Sequence, residues 1–159
     1  PTCGYLIREK KGLPHIRREM KDFYQIPTSQ VNNIKNGADW TTADGEVIPN
    51  SRLVKPSDPP RSYAYCTDTR YIPTLHELLK GVNTLYHEST YGEDRLQSAE
   101  KYCHSTARQA ALVAKEAGVG KLLLGHYSSR YEDENVLLEE AKKVFENTYL
   151  TNEMAVFDV

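Results

Sequence analysis

The sequence predicts an α/β fold, and three features carry that prediction. The first is Lys121–Tyr131 (KLLLGHYSSRY). Here Leu122, Leu123 and Leu124 form a short apolar run that breaks at Gly125 into imidazole, hydroxyl and guanidinium groups. Such a run marks a strand buried on both faces. The second is the regular exchange of strand-like and helix-like stretches from Ser62 onward, the pattern of a sheet covered by helices. The third is that these strands end in polar clusters, and in α/β folds ligands bind at the carboxyl ends of strands. Alone, His126 reads better as a satisfied histidine at the edge of a core, with the rest as loop. The same design appears twice more in the chain, and that recurrence gives it weight.

Composition narrows the class. The 159 residues suffice for one ordinary domain with a core. Hydrophobic residues at 39% and charged residues at 26% are the proportions of a soluble globular protein, slightly on the polar side. A net charge of -2 argues against a globally basic nucleic-acid coat while permitting a local basic patch. No apolar run approaches the roughly 18 residues that span a membrane, and no signal-peptide pattern opens the chain. Cys3, Cys66 and Cys103 are widely spaced with no C-x-x-C pair, so a reducing cytoplasm is the expected compartment. Pro1-Thr2-Cys3 lacks an initiator Met and runs straight into a strand, so a chain cut from something longer is expected.

In order along the chain, Gly4–Glu9 reads as a strand with Tyr5 and Ile7 on one face. Residues 10–61 differ in character, with Lys10, Lys11, Arg17, Arg18, Lys21 and Lys35 among prolines and glycines. Leu13, Ile16, Met20 and Phe23 fall at helical spacing and predict a short amphipathic helix. Asn36-Gly37 and Asp44-Gly45 are turn signals, the second suited to a small hairpin into Val47-Ile48. Pro56, Pro59 and Pro60 form a stiff connector. So long a stretch between core strands is either functional or disordered. It reads as a solvated, mildly basic protrusion or as an arm whose cations contact a phosphate backbone.

Ser62–Cys66 alternates as a strand and ends at Thr67-Asp68-Thr69. Pro73 opens a helix through Thr74–Lys80, stopped by Gly81. Thr84–Tyr86 is a strand ending at His87-Glu88-Ser89-Thr90, and Tyr91–Glu100 is a polar loop. After His104-Ser105-Thr106, a helical face of Ala107, Ala110, Ala111, Ala114 and Ala117, with Leu112 and Val113 beside it, closes at Gly118. The Lys121–Gly125 strand follows. A helix over Glu132–Asn147 turns Val136, Ala141, Val144 and Phe145 inward, and Met154–Val159 alternates as a last strand.

If these strands are neighbours in one sheet, Asp68, His87-Glu88 and His126 converge on one edge with His104-Ser105-Thr106. Carboxylate plus imidazole suits zinc or manganese. The same groups could instead do acid–base work, with a carboxylate orienting an imidazole that protonates a leaving group. Hydroxyls and amides at a helix start suit a phosphate. Each alone has an ordinary reading: Asp68 a turn residue, Glu88 a surface carboxylate, Ser105 a cap.

Four segments now carry a resemblance: YCTDT (Tyr65–Thr69), LYHEST (Leu85–Thr90), HSTA (His104–Ala107) and LLLGHYSSRY (Leu122–Tyr131). Their order and spacing resemble those of ribonuclease Z, the tRNA 3′-processing endonuclease family of the metallo-β-lactamase superfamily. They are similar to its S/G-D-T, H-E-A-T and H-S-T motifs and to its histidine-bearing strand end, L-x-H-F-S-x-R-Y. GYLIRE also resembles the strand before that family's exosite arm. The resemblance implies that Asp68 bridges two metal ions and that His126 is a terminal ligand. It implies that His104 protonates the leaving 3′ oxygen, that Glu88 orients it, and that Ser128, Ser129 and Arg130 lie near the RNA phosphate. His87 reads as structural, and His15 and His76 as ordinary surface histidines.

Two departures qualify the resemblance. The family's H-x-H-x-D-H metal motif is absent from this sequence, as is a further histidine ligand. Residues 1–159 therefore resemble the C-terminal half of the four-layer αβ/βα sandwich, with residues 10–61 in the place of the exosite arm and its connector. Where many members carry a Gly-Pro-rich tip, this chain has Gln25-Ile26-Pro27-Thr28-Ser29-Gln30. The implied protein is a cytoplasmic, homodimeric endoribonuclease that cuts the 3′ trailer from precursor tRNA. It uses two zinc ions, or manganese, and needs an N-terminal half bearing H-x-H-x-D-H as partner; the chain alone is expected to be inactive. The competing expectations are another hydrolase of the superfamily, an arylsulfatase or a cyclic-phosphate diesterase, and a non-catalytic half-domain that binds RNA or dimerises.

Overall fold

The computed structural model describes residues 2–159 and divides them into two compact units, 2–9 with 61–159, and Lys10–Pro60. The expectation placed on Pro1 lies outside the described residues. The first strand of the larger unit is β1 (Tyr5–Arg8).

The Lys10–Pro60 unit follows. It comprises β2 (His15–Ile16), α1 (Arg18–Phe23), α2 (Val31–Lys35), β3 (Trp40–Thr41), β4 (Val47–Ile48), α3 (Asn50–Leu53) and β5 (Val54–Lys55). β3 and β4 form the hairpin expected at Asp44-Gly45, with Gly45 at a φ of 84° that favours glycine. Ile26, Ile34, Ile48 and Leu53 are buried together beneath Ile16, Met20, Tyr24, Trp40 and Val54. The unit therefore has a core of its own, which a disordered connector would lack. The helix expected from Leu13 to Phe23 is shorter: His15–Ile16 pairs with β5 instead, and Leu13 and Phe23 are exposed. Strand pairing took the residues that spacing had given to the helix.

The larger unit resumes with β6 (Ser62–Cys66), α4 (Leu75–Leu78), β7 (Thr84–Glu88), α5 (Leu96–Tyr102), α6 (Ala107–Ala117), β8 (Lys121–Gly125), α7 (Asn135–Lys142) and β9 (Thr148–Leu150). The strands form one sheet in the order β1-β6-β7-β8-β9, antiparallel at β1 and parallel elsewhere. One face is covered by helices. Ala64, Cys66, Leu85, Leu122 and Leu124 are buried there with Ala107, Ala110, Ala111, Val113, Ala114 and Ala117. The alanines favour helix and, being small, let α6 lie close to the strands. Thr106 and Gln109 form a reciprocal capping box at its start, and Gly118 ends it at a φ of 61°.

The other face carries Tyr5, Ile7, Tyr63, Tyr65, Tyr86, Leu123 and Tyr149, which share register across the strands. Tyr65 and Tyr86 stack at 4.7 Å between ring centroids. Leu123 and Thr84 are buried, whereas Tyr5, Ile7 and Tyr149 are exposed.

Three expectations are corrected. Tyr91–Glu100 is a 3₁₀ turn at Glu93–Arg95 followed by α5, not a plain loop. Val136 is exposed rather than inward, while Leu137 and Ala141 bury the inner side of α7, whose span is shorter than Glu132–Asn147. The last strand is β9, not Met154–Val159: the Met154 backbone has a φ of 65°, and an Ala155 N–H to Asn152 bond turns the chain. Alternation makes a strand only where a ladder receives it. Among the described residues no helix is long and apolar enough to cross a membrane.

Candidate active site

Parallel register sets the rim of the sheet. Glu88, the last residue of β7, lies beside Gly125, the last of β8, and both point away from the helices on the tyrosine face. Gly125 is obligatory, because a Cβ there would collide with the Tyr86 ring. Just past their strands, Asp68 and His126 both adopt left-handed backbone, with φ of 48° and 60°. That conformation costs a non-glycine residue on the order of 1 kcal/mol, and such strain clusters at functional sites. The two side chains meet: His126 Nε2 is 3.1 Å from Asp68 Oδ1.

Behind them Glu88 is fully buried, and donors surround its carboxylate. Oε1 accepts from the Thr69 N–H at 2.7 Å and lies 2.9 Å from His104 Nδ1. Oε2 accepts from the Thr90 hydroxyl at 2.6 Å and the Ser105 N–H at 3.0 Å. A buried carboxylate is tolerable only when so compensated. Because Glu88 Oε1 accepts, His104 carries its hydrogen on Nδ1, leaving Nε2 for other work. His104 is held from behind by its own N–H on the Ala99 carbonyl at 2.8 Å, and the His104 and His126 rings lie 5.2 Å apart. The Ser105 hydroxyl donates to the Thr69 carbonyl at 2.7 Å, tying the segment after β6 to the start of α6.

The structure thus brings together Asp68, Glu88, His104 and His126 from four segments. His104 also offers a nitrogen within 4.8 Å of the donor atoms of Asp68 and His126. Ser128, Ser129 and Arg130 sit on the loop after β8, where the Ser128 N–H donates to the Thr90 carbonyl at 3.1 Å and Ser129 and Arg130 are exposed. His87 points to the opposite face, fully buried, with Nδ1 at 2.8 Å from the Glu88 carbonyl. Its Nδ1–H donates there, and Nε2 has no partner among the described residues. Burial pulls its pKa below the usual histidine value. His15 is exposed and His76 half-buried beside Glu116 at 3.3 Å.

Sequence reasoning missed Thr90, which touches Glu88 and both site histidines, and Tyr131. The Tyr131 hydroxyl accepts from the Gly92 N–H at 2.8 Å and donates to Asp94 at 2.9 Å, fastening the loop after β7 to the loop after β8. The only sequence signal for Thr90 was its place in LYHEST; Tyr131 closed the other motif.

The donor set fits a borderline cation. Two ligands 2.0–2.1 Å from a tetrahedral zinc lie roughly 3.3 Å apart, close to the Asp68–His126 separation. A catalytic zinc takes three protein ligands, and this chain offers these two with His104 as the nearest third.

No family model matches the sequence. Ribonuclease Z of Bacteroides fragilis (strain YCH46) is 54% identical over 153 residues, 96% of this chain and 50% of that protein. Ribonuclease Z of Porphyromonas gingivalis (strain ATCC 33277) is 45% identical over 159 residues, 100% of this chain and 52% of that one. The chain therefore spans about half the length of the curated relatives it matches. Among solved structures, the metallo-beta-lactamase fold protein YhfI from Bacillus subtilis aligns with a TM-score of 0.52 and 27% identity. That alignment covers 57% of this chain and 36% of that one. Human tRNase Z, short form, aligns with a TM-score of 0.51 and 22% identity, over 66% and 36%, and bears on the fold alone. The fold is that of the metallo-β-lactamase proteins.

Proposed function

From its likeness to ribonuclease Z along nearly all of its length, we propose that this chain is the C-terminal half of a metal-dependent endoribonuclease that removes the 3′ trailer from precursor tRNA. The observation that supports it most is the juxtaposition of two pairs, Glu88 with His104 and Asp68 with His126, at one sheet rim. In this reading Asp68 and His126 hold metal, two zinc ions in the complete enzyme, with manganese suited to the same donors. When bound, such ions supply a nucleophile and neutralise charge developing on phosphate.

The chain's own residues do the rest. Glu88 fixes the His104 ring through Nδ1, so that Nε2 delivers a proton to the leaving 3′ oxygen. Ser128, Ser129 and Arg130 contact the RNA phosphate beside it. The exposed cations Lys10, Lys11, Arg17 and Arg18 give the Lys10–Pro60 unit the charge for a phosphate backbone, the tRNA elbow in this proposal. The remaining ligands come from an N-terminal half carrying H-x-H-x-D-H. The tyrosine face of the sheet, apolar and left open, suits such a cover. Homodimerisation rests on the resemblance alone. A cytoplasmic location accords with free thiols at Cys3, Cys66 and Cys103.

The test is cleavage of a precursor tRNA with a 3′ trailer, in zinc or manganese, by this chain alone and mixed with a separately made N-terminal half. Cleavage after the discriminator base in the mixture alone is the expected result. Cleavage by the single chain overturns the half-site reading. Silence in a folded, metal-loaded mixture overturns the tRNA assignment.

A further inference from the structure

The Thr90 hydroxyl meets three groups of the site: Glu88 Oε2 at 2.6 Å, His126 Nδ1 at 2.8 Å and, more weakly, His104 Nδ1 at 3.3 Å. A hydroxyl has one hydrogen and two accepting lone pairs. Where that hydrogen points decides which nitrogen of His126 is protonated. The contact to Glu88 is the shortest, and a bond to a carboxylate is about twice as strong as one between neutral groups. The opposite assignment, Thr90 donating to His126, would strip a fully buried carboxylate oxygen of its closest donor, which burial penalises. The hydroxyl hydrogen therefore goes to Glu88, and the oxygen is left to accept. A ring nitrogen 2.8 Å from an accepting oxygen must carry a hydrogen.

We propose that Thr90 is a positioning residue: it holds His126 protonated at Nδ1 and thereby keeps Nε2 turned to Asp68. At that nitrogen, 3.1 Å from Asp68 Oδ1, a doubly protonated His126 gives a hydrogen to the carboxylate, and a neutral one with its hydrogen on Nδ1 offers a lone pair to a cation seated between them. Thr90 is itself well held. It is buried, its χ1 is restricted by β-branching, and its carbonyl accepts from the Ser128 N–H at 3.1 Å. One buried carboxylate thus orients both histidines, His104 directly and His126 through a hydroxyl. Metal-ligating histidines are commonly aimed by such an outer partner. The use made of Nε2 rests on the metal reading above; the hydrogen-bond assignment does not.

The experiment is a long-range proton–nitrogen NMR spectrum of the imidazoles in the 15N-labelled chain, above neutral pH, with the five histidines assigned by substitution. The expected result is a protonated Nδ1 on His126 in the wild type and in Thr90→Ser, which keeps the hydroxyl. In the isosteric Thr90→Val that preference is lost and the Nε2–H form becomes populated. A wild-type His126 with a bare Nδ1, or a Thr90→Val spectrum unchanged at His126, overturns the proposal. Should Thr90→Val fail to fold, the wild-type spectrum alone still decides.

A second readout is zinc affinity of the complete protein, measured without RNA. Thr90→Val raises the dissociation constant about tenfold to a hundredfold, the usual effect of losing an outer-sphere partner, and Thr90→Ser restores it; an unchanged constant overturns the positioning role. Failure of the functional reading looks different: the wild type takes up no zinc while its His126 remains protonated at Nδ1.

Discussion

The two faces of the five-stranded sheet are made from alternate residues of the same strands, yet they are built differently. On one face Leu85, Leu122 and Leu124 are fully buried against the alanines of α6. On the other, tyrosines from four strands lie side by side, stacked where Tyr65 meets Tyr86 and exposed toward both edges at Tyr5 and Tyr149. The helix-covered face holds the unit together. The tyrosine face ends at the rim where Glu88 and Gly125 point, so the proposed site stands at the edge of the less covered surface. Even there the tyrosines are not idle solvent groups, since burial raises the Tyr86 hydroxyl to about 12.

The contrast can be broken or sharpened by substitution. The largest effect is expected at the rim. His104→Ala in the complete enzyme should lower precursor-tRNA turnover about 10²–10⁴-fold, as loss of a general acid does, while metal content by atomic absorption stays near wild type. Equal loss of both would make His104 a ligand and merge the two pairs of the site into one. On the helix-covered face, Leu122→Ala should cost this chain about 2–5 kcal/mol in denaturant unfolding, because the close-packed layer cannot collapse into the gap. A cost below 1 kcal/mol would mean that face is less tightly made than it looks.

On the tyrosine face, Tyr65→Ser should cost the chain alone only about 1 kcal/mol, the worth of one aromatic pair, and measurably more when the N-terminal half is bound. Equal costs in both states would argue that nothing covers that face. The smallest effect is a change of pH dependence. His87 is buried neutral, and burial holds its pKa below the usual histidine value. The unfolded chain therefore binds a proton that the folded one refuses, so stability is present above about pH 6.5 and declines as pH falls below it. His87→Phe should flatten that acid limb in thermal melts from pH 7 downward; parallel curves would show that other groups set it.

Much of this was legible in one dimension. The leucine run of β8, the alternation of Ser62–Cys66 and the alanine stripe of α6 each announced a period that packing then honoured. Asp68, Glu88, His104 and His126 were legible as polar residues at element ends. Other features were hidden. α5 lay inside a stretch that read as polar loop, since its single buried residue, Ala99, makes no periodic pattern. The span Met154–Val159 had the pattern of a strand and no ladder to join. Thr90 looked like one more hydroxyl in a motif, because its importance lies in partners 14 and 36 residues away.

The sequence by itself determined β1, β6, β7, β8 and α6 of the sheet unit, and which residue types would stand at their mouths, because periodicity and capping are local. Only the tertiary structure decided which sheet face the helices cover, that β7 runs on through His87 and Glu88, and that one carboxylate gathers Thr69, Thr90, His104 and Ser105 around itself. The reason is parallel register. It places Glu88 beside Gly125, 37 positions apart, and hydrogen bonds a few ångströms long cannot be inferred until that register exists.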